Sequence, residues 1–175
     1  MYPIIRLAKA ILLDRNTPID IFQPLVTRHI AWPWDIDPWM DLNNGRTLTL
    51  FDLGRVAQMH RAGLFRALRA NRWGIVVAGN TTRYRRRITM WQRFEMRTRC
   101  IGWDQRFLYL EQAMFRGGDC CNHILIRAAV TSPKGIVPPA DLCRAMGLPP
   151  ESPPLPQWVQ DWIRAENERP WPPQL

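Results

Sequence analysis

The residues best equipped for chemistry lie close together in Trp34-Asp35-Ile36-Asp37-Pro38-Trp39-Met40-Asp41-Leu42-Asn43-Asn44-Gly45-Arg46. The segment runs directly into a stretch with helical spacing. A carboxylate at a helix start sits beside backbone N–H groups that have no intrahelical acceptor and at the positive end of the macrodipole. That setting favours the ionised carboxylate, which suits a base or nucleophile better than an acid. The first-turn N–H groups can in turn hold negative charge that develops on a carbonyl oxygen. The same residue types also cap helices, so Asp35, Asn43 and Asn44 have a purely architectural reading beside the chemical one.

A second group is basic. Arg83-Tyr84-Arg85-Arg86-Arg87 is followed by Arg93, Arg97 and Arg99. Guanidinium forks match phosphate oxygens, although charge runs also occur simply as solvated surface. If the run ends a strand, Arg83, Arg85 and Arg87 share one side and Arg86 takes the other. Nucleic acid is the competing partner for such a run, but no RNA-binding, zinc-module or recognition-helix signature accompanies it. Cys120-Cys121-Asn122-His123 lacks metal-ligand spacing, and its adjacent cysteines point to opposite faces of a strand. His29, His60 and His123 all lie outside the acidic loop, and neither a Gly-rich phosphate loop nor a Gly-x-Ser-x-Gly elbow is present.

These groups must be positioned by regular elements. Residues 1–14 read as a short helix with Ile4, Ile5, Ala8 and Leu12 on one face and Arg6 and Lys9 on another. The alternatives for it are packing on the main domain and contact with a membrane surface. Leu25–Trp34 reads as a first strand, ended by Pro33. Helical spacing then runs through Arg46–Arg69, apolar on several sides and so expected to be buried, with Gly63 as a stop or kink. The period then changes to two, giving strands at Ile75–Tyr84, Phe94–Trp103, Phe107–Phe115 and His123–Thr131. Gly102–Arg106 and Gly117–Asp119 supply the hairpin turns. Ten of the chain's 16 prolines fall after Val137, around one helical patch at Gln157–Glu166 where Trp158 and Trp162 offer docking groups. The plan is α+β: a curved antiparallel sheet of five or six strands wrapped around one long helix. It divides into an N-terminal helical arm (1–25), the main domain (26–136) and a Pro/Trp-rich C-terminal arm (137–175).

Composition sets the outer limits. The chain has 175 residues, 46% hydrophobic and 22% charged, an ordinary globular balance for one domain. No apolar run reaches the ~20 residues of a spanning helix, and the N-terminal stretch does not read as a signal peptide. Four cysteines, two of them adjacent, suit a reducing, cytoplasmic setting. The formal charge is +9, and only Lys9 and Lys134 are lysines among 24 basic residues. Much of that charge reads as a compositional preference for Arg.

The acidic loop resembles the hotdog-fold acyl-CoA thioesterase superfamily, in its 4-hydroxybenzoyl-CoA-thioesterase-like branch and a subgroup related to thioesterase superfamily member six. The match rests on Asp35-Ile36-Asp37 followed by Asn43-Asn44, and continues through Leu50–Arg55, Thr82–Arg86 and Arg97–Asp104, over roughly residues 26–131. The resemblance implies a thioester hydrolase acting on an acyl-CoA, with Asp37 as general base or nucleophile. Asn43, Asn44 and Gly45 would support the loop and polarise the carbonyl. Trp39, Arg83, Arg85, Arg86 and Arg87 would bind substrate, with coenzyme A entering only as part of it and no metal or other cofactor required. It further implies a homodimer or homotetramer whose sheets join, with sites at the subunit boundary. The sequence departs from the family pattern at Asp41, where relatives often place His, and at Thr47, where an aromatic is usual. A non-catalytic module that binds acyl-CoA or acyl-carrier protein is therefore the alternative expectation.

Overall fold

A computed structural model describes residues 3–12 and 18–173. Helix α1 (Ile4–Leu12) precedes strand β1 (Leu25–Ile30) and a single 3-10 turn at Pro33–Asp35. Helix α2 (Asn44–Arg61) and helix α3 (Leu64–Asn71) lead into four long strands: β2 (Gly74–Tyr84), β3 (Arg93–Trp103), β4 (Leu108–Arg116) and β5 (Asp119–Ser132). Strand β6 (Gly135–Val137), helix α4 (Pro139–Ala145) and helix α5 (Gln157–Glu168) complete the order. All pairings are antiparallel, in the order β1-β3-β4-β5-β2, with β6 alongside the end of β5. The sheet curls around α2 in the hotdog arrangement, and the expected α+β plan is the one that forms.

The period-two pattern of β4 explains which face holds the helix. Leu108, Leu110, Gln112 and Met114 are buried on the inner face, against Leu50, Phe51, Leu53 and Met59 of α2 and the inward residues Ile124 and Ile126 of β5. Helix α2 is buried on several sides, as its spread of apolar positions requires. Its closest approach to the sheet is at Gly54, where an added Cβ would meet Met96 Sδ and would lie 2.8 Å from Thr98 Oγ1. A polar seam fills the same layer. The Arg55 guanidinium donates to Gln112 Oε1 at 2.8 Å and also bonds Asp52, while Gln112 Nε2 donates to Thr98 Oγ1 and to the Phe51 carbonyl, each at 2.9 Å. Buried polar groups must find partners, and this seam supplies them between helix and sheet.

Several local expectations need correction. The helical stretch expected over Arg46–Arg69 is two helices, broken at Gly63 (φ +79°), the position expected as its stop or kink. The arginine run ends the strand only through Arg83 and Tyr84: β2 stops at Tyr84, as expected, and the Arg85 and Arg86 amides both donate to the Cys121 carbonyl, so 85–87 is loop and the side-sharing of Arg83, Arg85 and Arg87 does not follow. In α1 the apolar face is not the packed one. Ile4 is 68% and Ile5 86% exposed, whereas Leu7 packs on the core and Arg6 turns inward. Residues 1–2 and 13–14 of that expected helix lie outside the described residues. The C-terminal segment is more ordered than its prolines suggested. Beyond α4, Val159, Trp162 and Ile163 of α5 pack on Ile101, Tyr109 and Leu125 of the sheet's outer face. Arg127 lies over the Phe107 and Trp162 rings and 3.4 Å from Glu166, and Trp158 meets the His123 ring edge-on.

Candidate active site

The acidic loop is built around a carboxylate that does no surface chemistry. Asp35 is fully buried, with Arg6 Nη1 at 2.7 Å from Oδ2 and Arg46 Nε at 2.8 Å from Oδ1. It also accepts the Trp32 amide at 3.0 Å. One side chain thus joins α1, the loop and the first turn of α2. Its backbone carbonyl accepts the Asn43 amide at 2.9 Å, which places the helix start. Asn43 is the N-cap: its Oδ1 accepts the Arg46 amide at 3.1 Å.

Asp37 stands at the mouth of this framework. It is half-buried, and its Oδ1 accepts the Trp39 amide at 2.9 Å and the Asp41 amide at 3.2 Å. The Asp37 amide donates to the Asp41 carbonyl at 2.8 Å, closing a tight loop in which Met40 has φ +60°. Asp37 lines a depression of about 370 Å³ together with Trp34, Asn43, Arg46 and Thr49. The carboxylate and the first turn of α2 are therefore brought to one opening. Asn44 and Gly45, the first positions of α2, are exposed but do not line that depression, Asn44 lining the arginine side instead; helix geometry leaves their N–H groups without intrahelical acceptors.

The remaining candidates separate from Asp37. Asp41 is engaged with the neighbouring loop: its Oδ1 accepts the Ile88 amide at 3.0 Å and its Oδ2 lies 3.3 Å from Arg87 Nε. Arg87 also donates to the Trp39 carbonyl, and so ties two loops together. Trp39 itself is 77% exposed. Arg85, Arg86 and Arg87 line a second depression with Asp41 and Asn44, and Arg83 joins Arg85 and Arg86 in a third beside Cys120 and His123. Within one chain, Asn44 is the link between the arginine side and the helix start. Thr47 is fully buried, so it presents nothing to the opening. Arg46 and Thr49 were not foreseen as part of the Asp37 depression, although their three- and six-residue spacing from Asn43 on a helix places both near its first-turn face.

Among the described residues no three His, Cys, Asp or Glu side chains converge as a metal site would need. On the outer face, Glu111 bonds His123 at 3.0 Å and Arg99 at 2.7 Å, and these contacts pull its carboxyl below the usual range, against the opposing effect of burial.

The model of the thioesterase-like superfamily matches residues 31–163, which contain the whole loop, strands β2 to β6 and most of α5. The chain belongs to the thioesterase-like superfamily. Among curated relatives of this thioesterase-like chain, Protein THEM6 of Xenopus laevis is 33% identical over 166 residues, covering 91% of this chain and 78% of that protein. Solved thioesterase-like structures share the fold at low identity. YbaW of Escherichia coli superposes with a TM-score of 0.65 at 16% identity, covering 70% of this chain and 96% of its own. The DHNA-CoA thioesterase of Staphylococcus aureus does so at 0.59 and 12%, covering 82% and 91%.

Proposed function

We propose that this thioesterase-like protein hydrolyses an acyl-CoA thioester, with Asp37 as the catalytic carboxylate. The observation that carries the reading is the shared opening of Asp37 and the first turn of α2. There a carboxylate held by two backbone amides faces the end of a helix that favours negative charge. Both amide bonds fall on Oδ1, and the chemical role falls to Oδ2. In one route Asp37 takes a proton from water, whose oxygen attacks the thioester carbon. The C–S bond breaks and the proton passes to the departing thiolate. In the other route Oδ2 attacks directly, the thiolate leaves, and water hydrolyses the mixed anhydride. The N–H groups of Asn44 and Gly45 would hold the carbonyl oxygen, with Asn43 fixing the turn. Arg83, Arg85, Arg86 and Arg87 would meet the coenzyme A phosphates, with Trp39 against the substrate.

The substrate side of this proposal includes a second copy of the chain. Strand β2 is an edge of eleven residues, and Val76 and Val77 on it are half-exposed. An unpaired edge of that length is a template for pairing. Antiparallel pairing of two β2 strands would bring one copy's Arg83 side towards the other copy. The four thiols, all unpaired, fit the reducing, cytoplasmic setting expected from the composition.

The test is thiol release across short, long and aromatic acyl-CoAs. Asp37→Asn should lower the rate by about a hundredfold or more, the span of a lost acid–base or nucleophilic group; an unchanged rate overturns the assignment. A single turnover in ¹⁸O-water separates the two routes, since only the anhydride route can leave label in Asp37. One observation favours a non-catalytic acyl-CoA or acyl-carrier-protein binder instead: Asp41, at the position where relatives often have His, is committed to Arg87 and the Ile88 amide. Binding of the same panel without turnover would select that reading.

A further inference from the structure

A depression of about 850 Å³ shares no residue with the Asp37 opening or the Arg83–Arg87 side. It lies along the free edge of β1, at the end of the sheet's outer face opposite the part that α5 covers. Lys9, Arg28, Arg93 and Arg97 line it against a single carboxylate, Glu95. The register explains the convergence. Ile30 stands opposite Arg93, Arg28 opposite Glu95 and Val26 opposite Arg97, while Glu95 stands opposite Phe115 on the other side, so alternate residues of three strands share one face. Arg28 and Arg97 both lean on Glu95, at 3.4 and 3.9 Å, so that one carboxylate offsets only part of two cations. Among the described residues Arg93 and Lys9 carry no ion pair. The positive field reaches inward as well: His29, stacked on Phe94 at the groove wall, is lowered to about 4 by burial and by Arg6 and Lys9.

The groove also has a flat platform. The Arg97 guanidinium lies 4.1 Å over the Phe115 ring and remains half-exposed. A guanidinium held flat on one ring can stack a second planar group on its other face. Arg93 and Arg97 are outward positions four residues apart on one strand, about 13 Å along it, with long side chains that can close on a ligand between them. We propose that this groove binds a nucleoside di- or polyphosphate, with the base stacked on Arg97 and the phosphates held by Arg93, Arg28 and Lys9. The assignment is independent of thioester turnover, because it uses none of the residues given that role.

The test is calorimetric binding to the full chain at low salt, with ADP, pyrophosphate and adenosine as probes and anionic phospholipid vesicles as a separate arm. ADP should bind more tightly than pyrophosphate, adenosine should bind at least tenfold more weakly than ADP, and salt should weaken the ADP complex. Arg93→Ala and Arg28→Ala, both exposed positions whose variants should melt with the wild type, should each weaken ADP about tenfold. In the Arg85→Ala and Arg86→Ala background, which removes phosphate contacts proposed for coenzyme A, Arg93→Ala and Arg28→Ala should still weaken ADP about tenfold. The proposal is overturned if ADP fails to bind, or if its affinity survives Arg93→Ala and Arg28→Ala. It is equally overturned if Arg93→Ala and Arg28→Ala have no effect in the Arg85 and Arg86 background, if pyrophosphate matches ADP, or if vesicles bind and ADP does not.

Discussion

Replacing Asp35 with Asn tests the framework beneath the proposed site. The substitution keeps the shape and an acceptor for the Trp32 amide, but removes the charge that faces Arg6 and Arg46 at 2.7 and 2.8 Å. Breaking a buried ion pair from one side costs about 3–5 kcal/mol, because the remaining charge is left without compensation. Here the two arginines keep 16% and 18% side-chain exposure, so water relieves part of the loss and the lower end, about 3 kcal/mol, applies. For a chain of this size that corresponds to a fall in Tm of about 6–12 °C, or a urea midpoint lower by about 1.5 M at a slope near 2 kcal/mol/M. The loss should persist in 1 M NaCl, since a buried cluster is poorly screened. Arg6→Met should cost stability in the wild type and much less in the Asp35→Asn background, the sign of direct coupling. Asp35→Asn unfolding within about 0.5 kcal/mol of wild type, the range of ordinary surface substitutions, would refute the idea that this carboxylate holds three segments together.

Other substitutions probe single positions. Met40→Gly should raise stability by about 0.5–1 kcal/mol in urea unfolding, because φ +60° strains a residue with a Cβ while glycine's chain entropy takes back part of the gain. Gly54→Ala should destabilise by about 1–3 kcal/mol despite alanine's better helix propensity, since its methyl meets Met96 and Thr98 across a closed layer. His29 predicts a pH dependence. Its folded pKa of about 4 lies below the ordinary 6.5, so the unfolded chain takes up a proton first as pH falls. Stability should therefore drop from about pH 6.5 to about pH 4 and level off below it, by at most about 3 kcal/mol. His29→Gln should flatten that part of the urea-midpoint profile, and an unchanged slope would count against the assignment.

The parts of the fold that could be read in the sequence are those governed by period. Leu108, Leu110, Gln112 and Met114 alternate strictly with Tyr109, Glu111 and Ala113, and the strand follows. The helix break at Gly63 was visible only as a glycine, because apolar spacing continues on both sides and says nothing about direction. Asn43 could be read as a cap from its place before the helix. The partnership of Asp35 with Arg6 could not, since it joins residues 29 positions apart through a fold that must exist first. The end of β2 at Tyr84 was legible, but for the same reason the course of 85–87 was not. The Arg85 and Arg86 amides turn to the Cys121 carbonyl, and no local pattern announces an acceptor on a distant strand. The aromatic residues of the last helix were legible as docking groups, but their targets, Tyr109 and His123, were not.

That last helix also bears on how the molecule is made. A ribosome delivers β4 and β5 well before residues 157–168, so the outer faces of Tyr109 and Leu125 stay bare during synthesis until α5 emerges to cover them. Transiently bare apolar sheet is where nascent chains aggregate. The Arg127–Glu166 pair and the ring stack on Trp162 therefore mark a late event in the chain's history. Slow translation through 140–156 would lengthen the interval in which a chaperone must take the place of α5.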